Sequence, residues 1–277
     1  MPELPEVETI CRSLAQNILR QEISHVTVSL PRLIQSPSAE ELIAQLGGDS
    51  FSAVHRRGKY ILLDLDSGRT LAVHLRMTGK LLYLPTDAPV EKHTHVIIQF
   101  QGGHQLRYHD VRQFGTLWLL PDRNYDALSG IAALGPEPLG DAFTVEWLIG
   151  QMAGKNQKAK AFLLDQRNIA GIGNIYADEI LYQARIHPEE PVGHLTDWET
   201  AKALHFAIQD RLTQGIDCGG SSIKDYVDSL GRSGSFQEQH RAYGRGGKPC
   251  GECGCTMEKV TVAGRASVYC PNCQRRR

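Results

Sequence analysis

The first residues, Met1-Pro2-Glu3-Leu4-Pro5-Glu6, combine a potential amine nucleophile with carboxyl groups. Methionine is usually removed before a small residue, so we expect Pro2 to become the mature N-terminus. An α-amino group, with a pKa of about 7.7 to 8, is partly unprotonated at neutral pH. A terminal proline attacking an aldehyde carbon forms an iminium cation that acidifies the neighbouring C–H bond, and Glu3 can transfer a proton. Alternatively, Pro2 and Pro5 only start a helix, because proline is favoured in the first turn.

The cysteines are concentrated near the end of the chain, where five of the seven lie between Cys250 and Cys273. Two Cys-x2-Cys pairs are separated by sixteen residues without an intervening histidine. This spacing is typical of a four-thiolate zinc site, with iron–sulfur ligation as the main alternative. Four protein ligands leave no open coordination position, so we expect one structural zinc ion. Its ligands are Cys250, Cys253, Cys270 and Cys273, and Cys255 is left as a spare residue.

Two segments of the second half could bind anions. Gly264-Arg265-Ala266-Ser267 has the composition of a hairpin turn, whose arginine either reaches a phosphate or is solvated. Residues 171–176 lack the third glycine of a dinucleotide-binding motif, so a turn between helices with Asn174 as N-cap is the better interpretation. Basic residues that either face an anion or form a solvated helix face precede this turn: Lys155, Lys158 and Lys160.

Several side chains near the ends of predicted strands could contact a substrate. Met77, Arg112 and Phe114 could form a wedge that enters a base stack, although Met77 and Phe114 are also ordinary core residue types. His74 ends a strand. Lys59 begins one, and is either a solvated flank or an amine directed at substrate. The eleven histidines show no metal-ligand or triad spacing, so we assign none to metal.

The composition is that of an ordinary globular protein. With 277 residues, 41% hydrophobic and 22% charged, the chain can form two domains with separate cores. No apolar run approaches about 20 residues, and Glu3, Glu6 and Glu8 stand where a signal peptide carries basic residues. We therefore expect no membrane segment and a cytoplasmic location.

The charge is unevenly distributed along the chain. Eight Lys and Arg residues stand against two Glu between Arg241 and Arg277, which is +6 in a chain whose net charge is −1. The remainder therefore carries −7. A polyanion would accordingly be met by one face of the molecule.

Hydrophobic periodicity predicts an α+β protein. Apolar residues at helical spacing predict one helix over residues 3–20, and from Ile23 to Leu120 a period of two predicts eight short strands. These elements suggest a β-sandwich with the first helix packed on it. Later helices are expected at 144–153, 156–166, 174–185 and 196–214. The expected domains are a β-sandwich at 1–133, a linker at 134–143, a helical domain with a Gly-rich loop at 144–247, and a β-hairpin zinc finger at 248–277.

These motifs resemble the bacterial formamidopyrimidine-DNA glycosylase family from end to end. Segments that match the family in order are Pro2–Thr9, Arg57–Tyr60, His74–Gly79, Asp110–Gly115, Leu134–Leu139, Gly171–Ala177 and Tyr269–Gln274. The resemblance implies a base-excision repair enzyme that flips oxidised purines, 8-oxoguanine and formamidopyrimidines, out of duplex DNA and removes them. It also implies strand nicking at the abasic site by β- and δ-elimination.

The resemblance also implies a role for individual residues. Pro2 is then the nucleophile at the sugar C1′, Glu3 transfers protons, and Glu6 and Lys59 belong to the catalytic pocket. His74, Asn174 and Arg265 resemble phosphate contacts, with Lys160 also at the DNA. Met77, Arg112 and Phe114 resemble the residues that fill the vacated stack, and the loop from Ser221 to Phe236 resembles the segment that closes over the extruded base.

The helical part is similar to the family's helix–two-turn–helix module. The expected partner is damaged double-stranded DNA in the bacterial cytoplasm, bound by a monomer without a membrane or a nucleotide cofactor. Two alternatives remain. One is the related endonuclease VIII type, which prefers oxidised pyrimidines; the other is a non-catalytic nucleic-acid-binding zinc protein.

Overall fold

The structure, a computed structural model, describes residues 1–223 and 225–276. Lys224 of the Gly-rich loop and Arg277 of the basic C-terminus lie outside the described residues. The chain forms two compact units. Unit 1 comprises Met1–Ala132 and Cys218–Ser235, and unit 2 comprises Ala133–Asp217 and the chain from Phe236 onward.

The described part of unit 1 contains two β-sheets and three α-helices. The helices are α1 (Leu4–Asn17), α2 (Ala39–Leu46) and α3 (Ser129–Ala132). The strands are β1 (Ile23–Val28), β2 (Ile34–Ser36), β3 (Phe51–Arg57), β4 (Tyr60–Leu65), β5 (Thr70–His74), β6 (Gly79–Pro85), β7 (Thr94–Phe100), β8 (His104–Asp110) and β9 (Thr116–Leu120). One sheet has the order β1-β7-β8-β6 and the other β2-β9-β5-β4-β3, with only the β2–β9 pair parallel among these strands.

Both sheets and α1 contribute to one apolar core. In β4, Ile61 and Leu63 point into this core, while Leu62 packs with Ala72 and Ile131 on the other face of the sheet. This alternation follows from the period of two in a strand. The predicted β-sandwich with a packed N-terminal helix is confirmed, and the eight predicted strands end within two residues of the observed ones.

Helix α2 was not predicted, and neither was the short strand β2. Ser38 caps α2: its hydroxyl accepts from Glu41 N at 3.2 Å, and the Glu41 carboxylate accepts from Ser38 N at 3.1 Å. This Ser-x-x-Glu capping box was visible in the sequence. It was overlooked because a two-turn helix is too short to interrupt the surrounding alternating pattern clearly.

Unit 2 is helical and ends in a β-hairpin. Its helices are α4 (Val145–Met152), α5 (Ala159–Leu164), α6 (Asn174–Gln183) and α7 (Trp198–Asp217), followed by strands β10 (Glu258–Val262) and β11 (Arg265–Tyr269). The four predicted helices are present, with ends that differ by up to three residues. None of the described helices is both long and apolar enough to span a bilayer.

The segment predicted as a linker bonds to other parts of unit 2. Gly135 N donates to Gln166 O at 2.9 Å, and Ala170 N donates to Pro136 O at 3.1 Å. A Cβ at Gly135 would lie 2.3 Å from Asn168 O, so this position requires glycine. The Pro and Gly residues of this stretch therefore serve close backbone packing.

A buried carboxylate, Asp110 at the end of β8, organises two loops of unit 1. Its Oδ1 atom accepts from Thr78 Oγ1 at 2.5 Å and from Arg112 N at 3.2 Å. Its Oδ2 atom accepts from Gly115 N at 2.9 Å and from Tyr108 Oη at 3.2 Å. One side chain thus fixes the loop after β5 and the loop after β8.

The ionised form of Asp110 is favoured in the folded protein. Burial alone raises the pKa of Asp110, but hydrogen bonds from Thr78, Gly115 and Tyr108 outweigh it and hold the pKa below its ordinary value. A lowered folded-state pKa stabilises the protein above the unfolded-state pKa of about 3.9, and this stabilisation is lost as the pH falls through the folded-state value.

We therefore expect Asp110→Asn to lower the stability of unit 1 by about 1–3 kcal/mol at pH 7, because an amide cannot accept from all four donors. Thermal unfolding at pH 7 and at a pH below about 3 checks this. The difference from wild type should shrink at the lower pH. Asp87→Asn, at an exposed position, is the control. An equal deficit at both pH values would contradict the role of the carboxylate charge.

Candidate functional site

The N-terminus of α1 holds Pro2 and Glu3 in a buried position. Pro2 lies outside the helix, which begins at Leu4, so helix initiation falls to Pro5 and not to Pro2. Glu3 and Glu6 are 3% and 1% exposed. The Glu6 Oε2 atom accepts from Glu3 N at 2.8 Å, which fixes the backbone directly after Pro2. Met1 is half exposed, and its removal would convert the Pro2 nitrogen into a secondary amine.

Glu6 also holds the Gly-rich loop. Its Oε1 atom accepts from Ser221 N at 2.7 Å, and Tyr226 Oη donates to Glu6 O at 3.3 Å. Gly220 has a φ of +85°, and a Cβ there would lie 2.9 Å from Glu6 Cγ. The carboxylate therefore connects the backbone beside Pro2 to a loop more than 200 residues later.

A second pair of contacts anchors this loop in unit 1. The buried hydroxyls of Ser13 and Ser229 lie 2.6 Å apart, and Tyr83 N donates to Ser229 O at 2.7 Å. The sequence prediction had placed the Gly-rich loop in the helical domain, whereas its residues 218–235 lie in unit 1. Lone serines so far apart in the chain carry no sequence signal of their pairing.

Lys59 and His74 lie close together in unit 1. Lys59 is 7% exposed in the two-residue turn between β3 and β4, and the next residue, Tyr60, pairs with His74 across β4 and β5. Burial, with the charges of Arg76 and Lys59, lowers the pKa of His74 to about 3. His74 Nδ1 accepts from Arg76 N at 3.1 Å, so the neutral ring carries its proton on Nε2. That N–H can donate to an anion.

Met77, Arg112 and Phe114 form an exposed cluster on the two loops that Asp110 organises. Met77 and Phe114 are 43% and 53% exposed, so neither is a core residue. The Arg112 guanidinium lies 5.1 Å from the Phe114 ring centroid, and its Nη1 lies 3.1 Å from Met77 Sδ. The structure thus brings together the three residues that the sequence suggested as a wedge.

Lys160 is not on a solvated face. It is 0% exposed, and its Nζ donates to Asp178 Oδ1 at 2.5 Å and to Ala266 O at 3.2 Å. Lys158, by contrast, has a side chain 47% exposed and pairs with Glu189. Periodicity could not separate the two, because α5 is only six residues long.

Asn174 and Arg265 are both associated with β11. Asn174 is the first residue of α6, and Gly173, in extended conformation, takes the N-cap position that the sequence had suggested for Asn174. Asn174 Nδ2 donates to Ala266 O at 3.3 Å, while its buried Oδ1 has no hydrogen-bond partner among the described residues. Arg265 is exposed and follows the Ala263-Gly264 turn, where both residues have positive φ.

The four predicted thiols fit a zinc ion. The Sγ atoms of Cys250, Cys253, Cys270 and Cys273 all lie within 4.8 Å of one another. Zn–S bonds of about 2.3 Å in a tetrahedron separate the sulfurs by about 3.8 Å. The observed separations of 4.0 Å for Cys250–Cys273 and 3.4 Å for Cys253–Cys270 bracket that value. The site holds one structural zinc, and Cys255 lies outside the group.

Two further residues of α6 accept hydrogen bonds from distant backbone N–H groups, and neither was predicted from the sequence. Asp178 Oδ2 accepts from Val268 N at 3.2 Å, and the Glu179 carboxylate accepts from the backbone N–H groups of residues 241–243 at 2.8–3.1 Å. Both side chains are buried. Two acidic residues in the apolar stretch from Ile175 to Tyr182 were a sequence signal that could have identified them.

Comparison with known families gives a consistent result along the chain. The formamidopyrimidine-DNA glycosylase N-terminal domain matches residues 1–117, and the H2TH domain of the same enzymes matches residues 134–227. A zinc finger found in FPG and IleRS matches residues 247–276.

Individual relatives match this chain over almost its whole length. The formamidopyrimidine-DNA glycosylase of Desulforamulus reducens is 47% identical over 276 residues, which is 99% of each chain. A Lactococcus lactis FPG mutant, solved with Fapy-dG-containing DNA, is 38% identical with a TM-score of 0.92, covering 99% of this chain and 100% of the other. The Lactococcus lactis Fpg solved with abasic-site DNA is 37% identical with a TM-score of 0.90, covering 99% of both. The chain belongs to the formamidopyrimidine-DNA glycosylase family.

Proposed function

We propose that this protein is a bifunctional DNA glycosylase and abasic-site lyase, which excises oxidised purines from duplex DNA in the bacterial cytoplasm. The observation that carries the proposal is Pro2-Glu3 at a buried helix start in a chain of this family. Related proteins solved with Fapy-dG and abasic DNA support the substrate class. The damaged DNA is bound by a monomer that acts on chromosomal DNA.

Pro2 supplies the nucleophile. After Met1 is removed, the Pro2 nitrogen attacks the sugar C1′, and the C1′–N bond to the base breaks, with the electron pair leaving on the base. The Pro2 nitrogen then loses its proton, and the C1′–O4′ bond breaks as O4′ takes up a proton, which leaves an iminium cation between Pro2 and C1′. This cation acidifies the C2′ proton, whose loss expels the 3′ phosphate, and a second elimination expels the 5′ phosphate.

Glu3 transfers the proton in this scheme, and Lys59 lies in the same pocket. A damaged base is a poor leaving group, so excision needs proton transfer, which we assign to Glu3 beside the nucleophile. Lys59 belongs to the same catalytic pocket and is buried close enough to His74 to lower its pKa. Glu6 fixes the backbone of Glu3 and the Gly-rich loop, and therefore acts as a positioning residue.

Separate requirements for Pro2 and Glu3 can be measured. We expect Glu3→Gln to lose excision of 8-oxoguanine but to retain substantial nicking at a pre-formed abasic site, where the aldehyde is already present. Pro2→Gly keeps a terminal amine but makes it primary, so both activities should fall. Strand cleavage of 8-oxoguanine and abasic duplexes, measured side by side, tests this. Excision at the wild-type rate by Glu3→Gln would show that Glu3 serves only as a helix-start carboxylate.

DNA binding uses phosphate contacts and a wedge. His74, Asn174 and Arg265 contact phosphates, while Met77, Arg112 and Phe114 fill the stack that the flipped nucleotide leaves. The neutral His74 ring with its proton on Nε2 supports its role as a donor. The exposed cluster of Met77, Arg112 and Phe114 supports the wedge.

The two kinds of contact should respond differently to salt. Arg265→Ala should weaken DNA binding and make the slope of log affinity against log salt shallower by about one unit. Phe114→Ala should impair the bent, flipped complex and leave this slope unchanged, because it removes no charge. Binding titrations at several salt concentrations measure both. An unchanged slope for Arg265→Ala would rule out its phosphate contact.

Lys160 acts on DNA through the hairpin and does not touch phosphate in this proposal. Its buried ammonium bonds Ala266 O, directly after Arg265. The double variant Lys160→Met/Asp178→Asn removes both charges and so leaves no unpaired buried charge. We expect it to weaken DNA binding when made in the wild-type protein. In a protein that already carries Arg265→Ala, it should cause little further loss of affinity. Binding titrations at several salt concentrations, with the wild type, the double variant, Arg265→Ala and their combination, test this. Lys158→Met is the control. Additive effects, with a further change of slope, would instead indicate a direct phosphate contact.

The domain assignment follows the same proposal. Residues 1–133 form the catalytic domain, 134–143 the linker and 248–277 the zinc finger. Residues 144–247 form the helix–two-turn–helix domain, apart from the Gly-rich loop at 218–235, which belongs to unit 1. The loop's contacts with Glu6 and Ser13 support a role in closing over the extruded base at the catalytic domain.

Two alternatives are separated by simple assays. An enzyme of the endonuclease VIII type would prefer oxidised pyrimidines, so excision from paired oxidised-purine and oxidised-pyrimidine duplexes decides between the two. A non-catalytic nucleic-acid-binding protein would not nick an abasic strand. Borohydride trapping on 8-oxoguanine DNA, with mass analysis of the linked peptide, tests substrate, nucleophile and Met1 removal together.

A further inference from the structure

Tyr182, in the last turn of α6, contacts a zinc-binding thiol. Its Oη atom lies 3.1 Å from Cys250 Sγ, and the two residues are 4% and 3% exposed. A thiolate bound to metal has no proton to give, so the tyrosine hydroxyl is the donor in the metal-loaded protein. This contact differs from the hydrogen bond that Cys270 Sγ accepts from Cys273 N within one cysteine turn, because it comes from a separate helix.

The surroundings strengthen this hydrogen bond. Tyr182 and Cys250 belong to an apolar cluster with Ala242, Met257 and Val268, all of them buried. A hydrogen bond to a charged acceptor is stronger where water is excluded, because competing donors are absent and the local dielectric is low. The ring therefore supplies packing, and the hydroxyl supplies a charge-assisted bond.

Tyr182 completes a row of contacts from α6 to the zinc finger and to the residues just before it. Asn174, Asp178, Glu179 and Tyr182 occur at helical spacing, so they share one side of the helix. They bind, in order, Ala266 O, Val268 N, the N–H groups of residues 241–243, and Cys250 Sγ. Gln274 Nε2 adds a bond to Ile186 O at 2.8 Å. The finger is thus attached to one helix at both the hairpin and the metal-binding end.

We propose that Tyr182 is a positioning residue of the zinc centre: its hydroxyl holds the Cys250 thiolate in its metal-binding orientation and slows metal loss. Partners beyond the ligands orient metal sites, and removing one typically weakens metal affinity by about 10-fold or more. Since α6 also begins with Asn174, the same hydroxyl ties the metal site to the helix that bonds the Arg265 hairpin.

The test uses the zinc-loaded full-length protein and its rate of zinc transfer to a chromogenic chelator. Tyr182→Phe keeps the ring and its packing and removes only the hydroxyl. We expect zinc transfer to become about 10-fold faster. Tyr269→Phe is the matched control: Tyr269 lies on β11 beside Cys270, but its hydroxyl donates to Glu258 Oε2 at 2.8 Å and not to a thiol.

The outcomes separate the hydroxyl's role from ordinary packing. Faster zinc transfer in Tyr182→Phe, with Tyr269→Phe close to wild type, supports the proposal. Zinc transfer at the wild-type rate in Tyr182→Phe, or equal acceleration in both variants, overturns it. This measurement needs no DNA, so it stands independently of the proposed function. A loss of DNA affinity after partial zinc depletion, measured in parallel, tests the link between the metal site and Arg265. Only this second measurement rests on the proposed function.

Discussion

An ionised carboxylate that leaves water must be surrounded by hydrogen-bond donors, because without them its burial costs several kcal/mol. The functional parts of this protein are arranged around that constraint. Glu6, Asp110, Asp178 and Glu179 are each at most 2% exposed. Glu6, Asp178 and Glu179 accept hydrogen bonds from backbone N–H groups of another segment. Asp110 accepts from the backbone of the loop that follows its own strand and from the Thr78 hydroxyl of another loop. A loop that supplies such donors is held in place, since releasing it would strand a buried charge.

In unit 1, buried carboxylates hold the Gly-rich loop and the loops after β5 and β8 in place. Glu6 joins the backbone beside Pro2 to the Gly-rich loop, so the N-terminal residues and the loop share one carboxylate. Asp110 likewise joins the two loops that carry Met77 and Phe114. These exposed side chains are thus precisely placed although they have little packing of their own, because hydrogen bonds to Asp110 hold the backbone of their loops.

The zinc finger depends on a metal ion for its fold. A segment of about 30 residues cannot bury enough apolar surface to fold alone, so four thiolates and one zinc replace part of a core. What remains apolar in it packs with Tyr182 of α6. Exposed basic residues of this segment, such as Lys248 and Arg265, can face a polyanion, while the chain as a whole stays nearly neutral.

The sequence by itself determined most of the elements, the zinc site and the family. Alternating and helical periods located the predicted strands and helices, cysteine spacing identified the metal, and the order of motifs identified the family. These signals are local, or they depend on residue types at fixed spacing, so they survive without coordinates. The tertiary structure alone decided that Lys160 is buried, that the Gly-rich loop lies in unit 1, and that Tyr182 meets Cys250. Such contacts join residues up to 220 positions apart, as between Glu6 and Tyr226, and no local pattern records which distant donor satisfies a buried group.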